Sequence, residues 1–106
     1  MAAPPVDQLP LSVPVFQILL ALVDCDLHGY ALIKDIEEFA GVTLGPGTLY
    51  GALARLEERR LIESLPPEER RRPYRITAAG AAALGAYLRH AAAIATVGLR
   101  RLREST

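Results

Sequence analysis

At 106 residues, about half of them hydrophobic, the chain can bury one modest core and excludes a second domain of ordinary size. Its formal net charge is zero, so the overall balance gives no support for nucleic acid, whose affinity rests on Lys and Arg neutralising phosphates. The single cysteine, Cys25, excludes an intramolecular disulfide and a cysteine-based metal cluster and fits a reducing, cytoplasmic setting, while His28 and His90 lack partners at ligand spacing, so no metal or other cofactor is expected.

The first segment, 1–11, holds Pro4, Pro5 and Pro10 with little periodicity and is expected to be a flexible arm. Ser12 then suits an N-cap, with Pro14 tolerated in the first helical turn and Phe16, Ile18, Leu19, Leu20, Leu22 and Val23 filling a buried helix. A signal peptide would also be apolar here, but no basic stretch precedes it, Asp24 stands where a small residue should precede cleavage, and the run is too short to span a bilayer. Over 28–40, Leu32, Ile33, Ile36, Phe39 and Ala40 recur at helical spacing opposite Lys34, Asp35, Glu37 and Glu38, which predicts an amphipathic helix stopped by Gly41. A third helix is expected to open at Gly45-Pro46-Gly47-Thr48, with Gly45 as N-cap, Pro46 at the first position, and Leu49, Ala52, Leu53 and Leu56 facing inward.

After Leu61 the pattern changes. Ile62-Glu63-Ser64-Leu65 and Tyr74-Arg75-Ile76 are short and β-compatible, separated by a charged stretch over 66–73, and read as a hairpin with a long tip. Thr77 suits the N-cap of a last helix running to about Arg103. Its stripe of Leu84, Leu88, Ala91, Ala95, Gly98 and Leu102, widened by Tyr87, Ile94 and Leu99, extends beyond what a small domain covers, since roughly 25 residues span about 38 Å. A second copy of the chain is the simplest partner, so Leu84, Tyr87, Leu88, Ala91, Ile94, Ala95, Leu99 and Leu102 are the candidate dimerisation residues. The expected fold is mainly α with a small β-hairpin wing: a flexible arm (1–11), a winged helix-turn-helix (12–77) and a long C-terminal dimerisation helix (78–106).

Distribution qualifies the neutral charge. Eleven of the twelve basic residues are Arg, seven of them lie between Arg55 and Arg75, and Arg70, Arg71 and Arg72 are consecutive at the expected hairpin tip. In a helix-turn-helix the N-terminal end of the second helix of the pair meets the major groove, here Gly45 to Tyr50, where small residues leave backbone N–H groups open and Thr48 and Tyr50 add hydroxyls. Arg55 follows on the same exposed face, and wing arginines reach a backbone or minor groove. The competing explanation is a turn followed by a solvated charge run, since Glu68 and Glu69 adjoin the arginines. No nucleophile-base constellation or phosphate-binding glycine loop is present in the sequence, so an enzyme is not expected.

The segments His28-Gly29-Tyr30-Ala31-Leu32-Ile33-Lys34, Gly45-Pro46-Gly47-Thr48-Leu49-Tyr50 with Leu53 and Arg55-Leu56-Glu57, Leu61-Ile62, and Arg72-Pro73-Tyr74-Arg75-Ile76-Thr77 with Gly80 resemble the PadR family of bacterial transcriptional regulators over roughly 12–82. The resemblance implies a winged-helix repressor, a homodimer formed through the C-terminal helix, and double-stranded palindromic operator DNA. It carries DNA contact onto Tyr30, Lys34, Gly47, Thr48, Tyr50, Arg55, Arg71, Arg72 and Arg75. Pro73 stands where many members have the first of two tyrosines, and longer members carry a further helical domain after the helix that ends this chain. Some compact members bind small aromatic molecules at the dimer interface, which leaves an effector open, although the last helix offers only Tyr87 as an aromatic. A winged-helix module that binds protein instead of DNA is the alternative that zero net charge supports.

Overall fold

The computed structural model describes residues 12–105, and the arm expected over 1–11 lies outside the described residues. In chain order the elements are α1 (Val13–Ala21), β1 (Leu27–His28), α2 (Gly29–Ala40), α3 (Pro46–Glu58), β2 (Ile62–Ser64), β3 (Pro73–Ile76) and α4 (Ala78–Glu104). The architecture is mostly helical with a small wing, as expected, but the sheet has three strands in the order β1-β3-β2, all antiparallel. The extra strand is the two-residue β1, which lies beside β3 with Leu27 opposite Tyr74 and His28 opposite Pro73.

The helix ends follow from their local chemistry. Pro14 occupies the first turn of α1 and Pro46 that of α3, where a missing N–H costs nothing. The His28 imidazole caps α2 by accepting the Ala31 N–H, and Gly41 ends that helix in the left-handed region at φ 70°. The end of α3 is a Schellman motif: the Leu61 N–H bonds the Leu56 carbonyl and the Arg60 N–H bonds the Glu57 carbonyl, with Leu56 and Leu61 both buried beneath it. Its left-handed residue is Arg60 at φ 60°, not glycine, and its carbonyl is held by the Thr77 hydroxyl at 2.8 Å.

The core gathers Ile18, Leu19 and Leu22 from α1 and its C-terminal end, Leu32 and Ile36 from α2, Leu49, Leu53 and Leu56 from α3, and Leu61 at the entrance to the wing. Burying each such side chain contributes about 1.5–3 kcal/mol before chain entropy is counted. The inward stripe expected for α3 is the one that is buried, Leu49, Ala52, Leu53 and Leu56.

Two close approaches lock α4 to the wing. Thr77 accepts the Gly80 N–H at 3.0 Å, and the Thr77 N–H donates to the Leu61 carbonyl at 3.1 Å. This brings Gly80 so near Leu61 that a Cβ there would run into the Leu61 carbonyl oxygen.

Only the start of α4 belongs to the domain core. Leu84 is 4% exposed and Tyr87 packs its ring on Phe16 at 4.7 Å, so these two candidate dimerisation residues are occupied within the chain. Leu88, Ala91, Ile94, Ala95, Leu99 and Leu102 are exposed, with Ile94, Leu99 and Leu102 the most open. The projecting helix gives a radius of gyration of 15.5 Å, against about 13 Å for a compact chain of this length. By length and composition α4 also qualifies as a helix able to cross a membrane. Its part beyond the core, from Leu88 to Glu104, rises only about 25 Å, less than the hydrocarbon thickness, and it carries Arg89, Arg100, Arg101 and Arg103.

Candidate nucleic-acid interface

The N-terminal turn of α3 is open on its outer side. A Cβ at Gly45 or Gly47 would meet nothing within 4 Å, and Gly47, Thr48, Tyr50 and Arg55 are all exposed. Packing inside the chain therefore does not require these glycines, and their backbone N–H groups are accessible from outside. Tyr50 is 55% exposed but is not loose, because its hydroxyl leans over Gly29 at the start of α2.

The wing folds back toward the same region. β2 and β3 pair Ile62 with Ile76, Glu63 with Arg75 and Ser64 with Tyr74, and the Leu65 N–H donates to the Pro73 carbonyl. Pro73 is thus accommodated as the first residue of β3, where its carbonyl serves the ladder and its missing N–H is tolerated. The tip is tighter than the long charged loop expected: Glu68 and Arg71 exchange two backbone hydrogen bonds around Glu69 and Arg70, which have φ of 48° and 70°. A turn of this kind ordinarily uses Asn-Gly, and left-handed non-glycine residues cost about 1–2 kcal/mol each. That strain is concentrated where three consecutive arginines are presented.

These elements border a half-open cavity of about 280 Å³. Tyr30 from α2, Tyr50 from α3, Tyr74 from β3 and Arg70 to Arg72 of the wing line it with His28, and none of the described lining residues is acidic. Burial raises the Tyr74 pKa above its usual value, nearby Glu57 adds to the rise and Arg72 opposes it, so the phenol keeps its proton and its donor capacity.

The candidate contact residues are therefore only partly brought together. Tyr30, Tyr50, Arg71 and Arg72 meet at the cavity, whereas Gly47 and Thr48 in the first turn of α3 and Arg55 farther along it do not line it. Lys34 lies one turn beyond Tyr30 with its ammonium 5.8 Å from the ring centroid, in a shallower depression that also contains Asp35 and Glu38. Arg75 is held by Asp26 through contacts of 3.1 and 3.4 Å, and this hydrogen-bonded ion pair raises the Arg75 pKa further. Its charge is partly balanced within the chain.

His28, Gly29, Arg70 and Tyr74 are the lining residues that were not among the candidate contacts. The signal for His28 is its place at the helix start, because an imidazole used as an N-cap is fixed in direction. Gly29 supplies a test of the arrangement: a Cβ there would lie 2.6 Å from the Tyr50 hydroxyl, the far end of a side chain that can swing away. Gly29→Ala is expected to keep the fold within about 1 kcal/mol while displacing Tyr50, seen as a several-fold loss of DNA affinity with an unchanged far-UV spectrum.

Comparison with known proteins gives a consistent answer. The model of the transcriptional regulator PadR-like family matches residues 18–86. A PadR family transcription regulator from Clostridium difficile superposes with a TM-score of 0.79 at 28% identity, covering 86% of this chain and 99% of that one. A transcriptional regulator from Clostridium thermocellum has a TM-score of 0.73 at 32% identity, covering 83% and 90%. An uncharacterised 37.1 kDa protein in a transposon of Streptomyces fradiae is 52% identical over 63 residues, which are 59% of this chain and 18% of that protein. The chain thus spans under a fifth of the length of that curated relative. With the matched segment running from α1 into α4, the chain belongs to the PadR-like family of transcriptional regulators.

Proposed function

We propose that this transcriptional regulator binds double-stranded DNA as a homodimer and represses by occupying a pseudo-palindromic operator. In this reading α3 enters the major groove by its open N-terminal turn, Thr48 and Arg55 face the bases or backbone, and the wing arginines lie along the flanking backbone or minor groove. The observation that carries it is the convergence of Tyr30, Tyr50 and the wing arginines around one cavity without an acidic lining residue, on a protein whose net charge is zero. The exposed stripe from Leu88 to Leu102 supports dimerisation through α4, which would set the two α3 helices apart as one unit. Relief by a small molecule would need a cavity between two copies of α4, whose aromatic residue, Tyr87, packs on Phe16 within its own chain. The proposed setting is cytoplasmic.

Fluorescence anisotropy at moderate salt tests the proposal, comparing the DNA upstream of the protein's own gene with a random duplex. Preference for the former is expected, and Arg71→Ala with Arg72→Ala should weaken binding at least tenfold and flatten its salt dependence. Equal binding of the two duplexes would refute sequence-specific recognition. Zero net charge favours one other reading, a winged-helix module that captures protein, and in that case the double arginine variant would leave partner binding unchanged.

A further inference from the structure

The bond that the His28 ring makes to cap α2 selects one tautomer over the other. Nδ1 accepts the Ala31 N–H at 3.4 Å, so in this state Nδ1 carries no proton and the single imidazole proton resides on Nε2. Yet Nε2 lies 3.5 Å from Nη1 of Arg71, which is also a donor. Two N–H groups therefore face one another at the cavity rim with no acceptor between them. Asp26, just before β1, is engaged by Arg75, and the described residues lining this cavity contribute no carboxylate; Asp35 and Glu38 border the adjoining depression on the other side of His28 and Arg71, where neither makes a described hydrogen bond or ion pair with that pair. Tyr30 and Tyr50 add hydroxyls at the same opening, and Arg70 and Arg72 add positive charge.

From this unmatched set of donors we infer that the cavity between α2 and the wing is a phosphate site, in which the His28 Nε2–H and the Arg71 guanidinium donate to the same phosphate group. A phosphate oxygen supplies the acceptor that the donor pair lacks, and its charge balances the arginines. His28 contributes as a neutral donor held in direction by its own capping bond, whereas Arg71 contributes charge. The inference rests on the DNA reading for its occupant, a phosphodiester of the duplex backbone. The same chemistry would also take a free phosphorylated molecule.

His28→Asn separates the donor from the cap, because asparagine is a good N-cap that retains an acceptor for Ala31 but loses the Nε2–H on the far side. Binding is measured on a random-sequence duplex of about 30 base pairs at low salt, where phosphate contacts dominate. His28→Asn should weaken binding roughly tenfold while leaving the slope of log affinity against log salt unchanged, since a neutral donor releases no counterion. Arg71→Ala should weaken binding and also reduce that slope by about 1 per occupied site. In parallel, inorganic phosphate is titrated into the wild-type protein while the His28 ring nitrogens are followed by NMR, a readout that does not depend on any variant folding. A saturable shift at Nε2, with Nδ1 little changed, is expected.

Wild-type affinity in His28→Asn together with no Nε2 response to phosphate would overturn the site and leave the DNA reading standing. Failure of the wild type to bind any duplex, with Nε2 still responding to phosphate, would support the site for a free phosphorylated ligand and overturn the DNA reading. Failure of both would overturn both.

Discussion

Gly80→Ala should lower the melting temperature by roughly 15 °C, which corresponds to about 3 kcal/mol in a domain of this size. The added Cβ would be driven into the Leu61 carbonyl oxygen and would also lie 2.9 Å from the Ile76 side chain. Neither neighbour can give way cheaply. The Leu61 carbonyl accepts the Thr77 N–H, and the Leu61 N–H closes the Schellman motif of α3, so moving it disturbs the ends of α3 and the wing together. Relief by shifting α4 would pull Thr77 from both the Gly80 N–H and the Arg60 carbonyl. A control lies in the same helix: a Cβ at Gly98 would meet nothing within 4 Å, and alanine there should gain up to about 1 kcal/mol of helix propensity. Measured in a monomeric background, Gly98→Ala should melt no lower than its parent. Thermal denaturation of the two variants checks this, and a Gly80→Ala protein that melts within a few degrees of wild type would contradict the close joint between α4 and Leu61.

If the protein is the dimer proposed above, Ile94→Glu combined with Leu99→Glu should leave it monomeric at micromolar concentration and weaken binding to the proposed operator by about 100-fold or more. The two side chains are 59% and 64% exposed and touch none of the core, so the fold of each protomer should be retained. Their loss acts through the partner: carboxylates on both copies bring like charges and unpaired polar groups into the contact. Two half-sites bound by linked protomers gain an effective concentration worth roughly 100-fold or more, which unlinked monomers forfeit. Light scattering and anisotropy measure the two effects. A wild-type protein that is itself monomeric at that concentration would remove the dimer and with it this explanation of the exposed stripe.

Much of the helical framework was legible in the sequence because its signals are local. Thr77 and Gly41 mark helix boundaries by capping chemistry, Ser12 and Gly45 stand at N-cap positions ahead of a first-turn proline without a side-chain capping bond, and the 3.6-residue periodicity of Leu49, Ala52, Leu53 and Leu56 names the buried face. What was not legible depends on residues far apart in the chain. β1 has two residues, too few for alternation to show, and exists through pairing with β3. Arg75 reads as one more wing cation until Asp26, 49 residues earlier, is seen to hold it. The tight tip at Glu68 to Arg71 escaped because its left-handed positions carry Glu and Arg instead of the Asn-Gly that signals such a turn. Leu84 and Leu88 belong to one stripe in sequence, but α1 covers the first part of α4 and leaves the rest open, a division that periodicity does not mark. His28 was legible only as an isolated histidine, since its value to the site comes from the direction its capping bond imposes.

The central claim, two α3 helices carried by one dimer into successive major grooves, is tested most directly by hydroxyl-radical footprinting on the DNA upstream of the protein's own gene. The account predicts paired protected patches related by dyad symmetry, with half-site centres about 34–36 Å apart on one face of the duplex. A single protected patch without symmetry, or no protection at concentrations where the protein is dimeric, would contradict it.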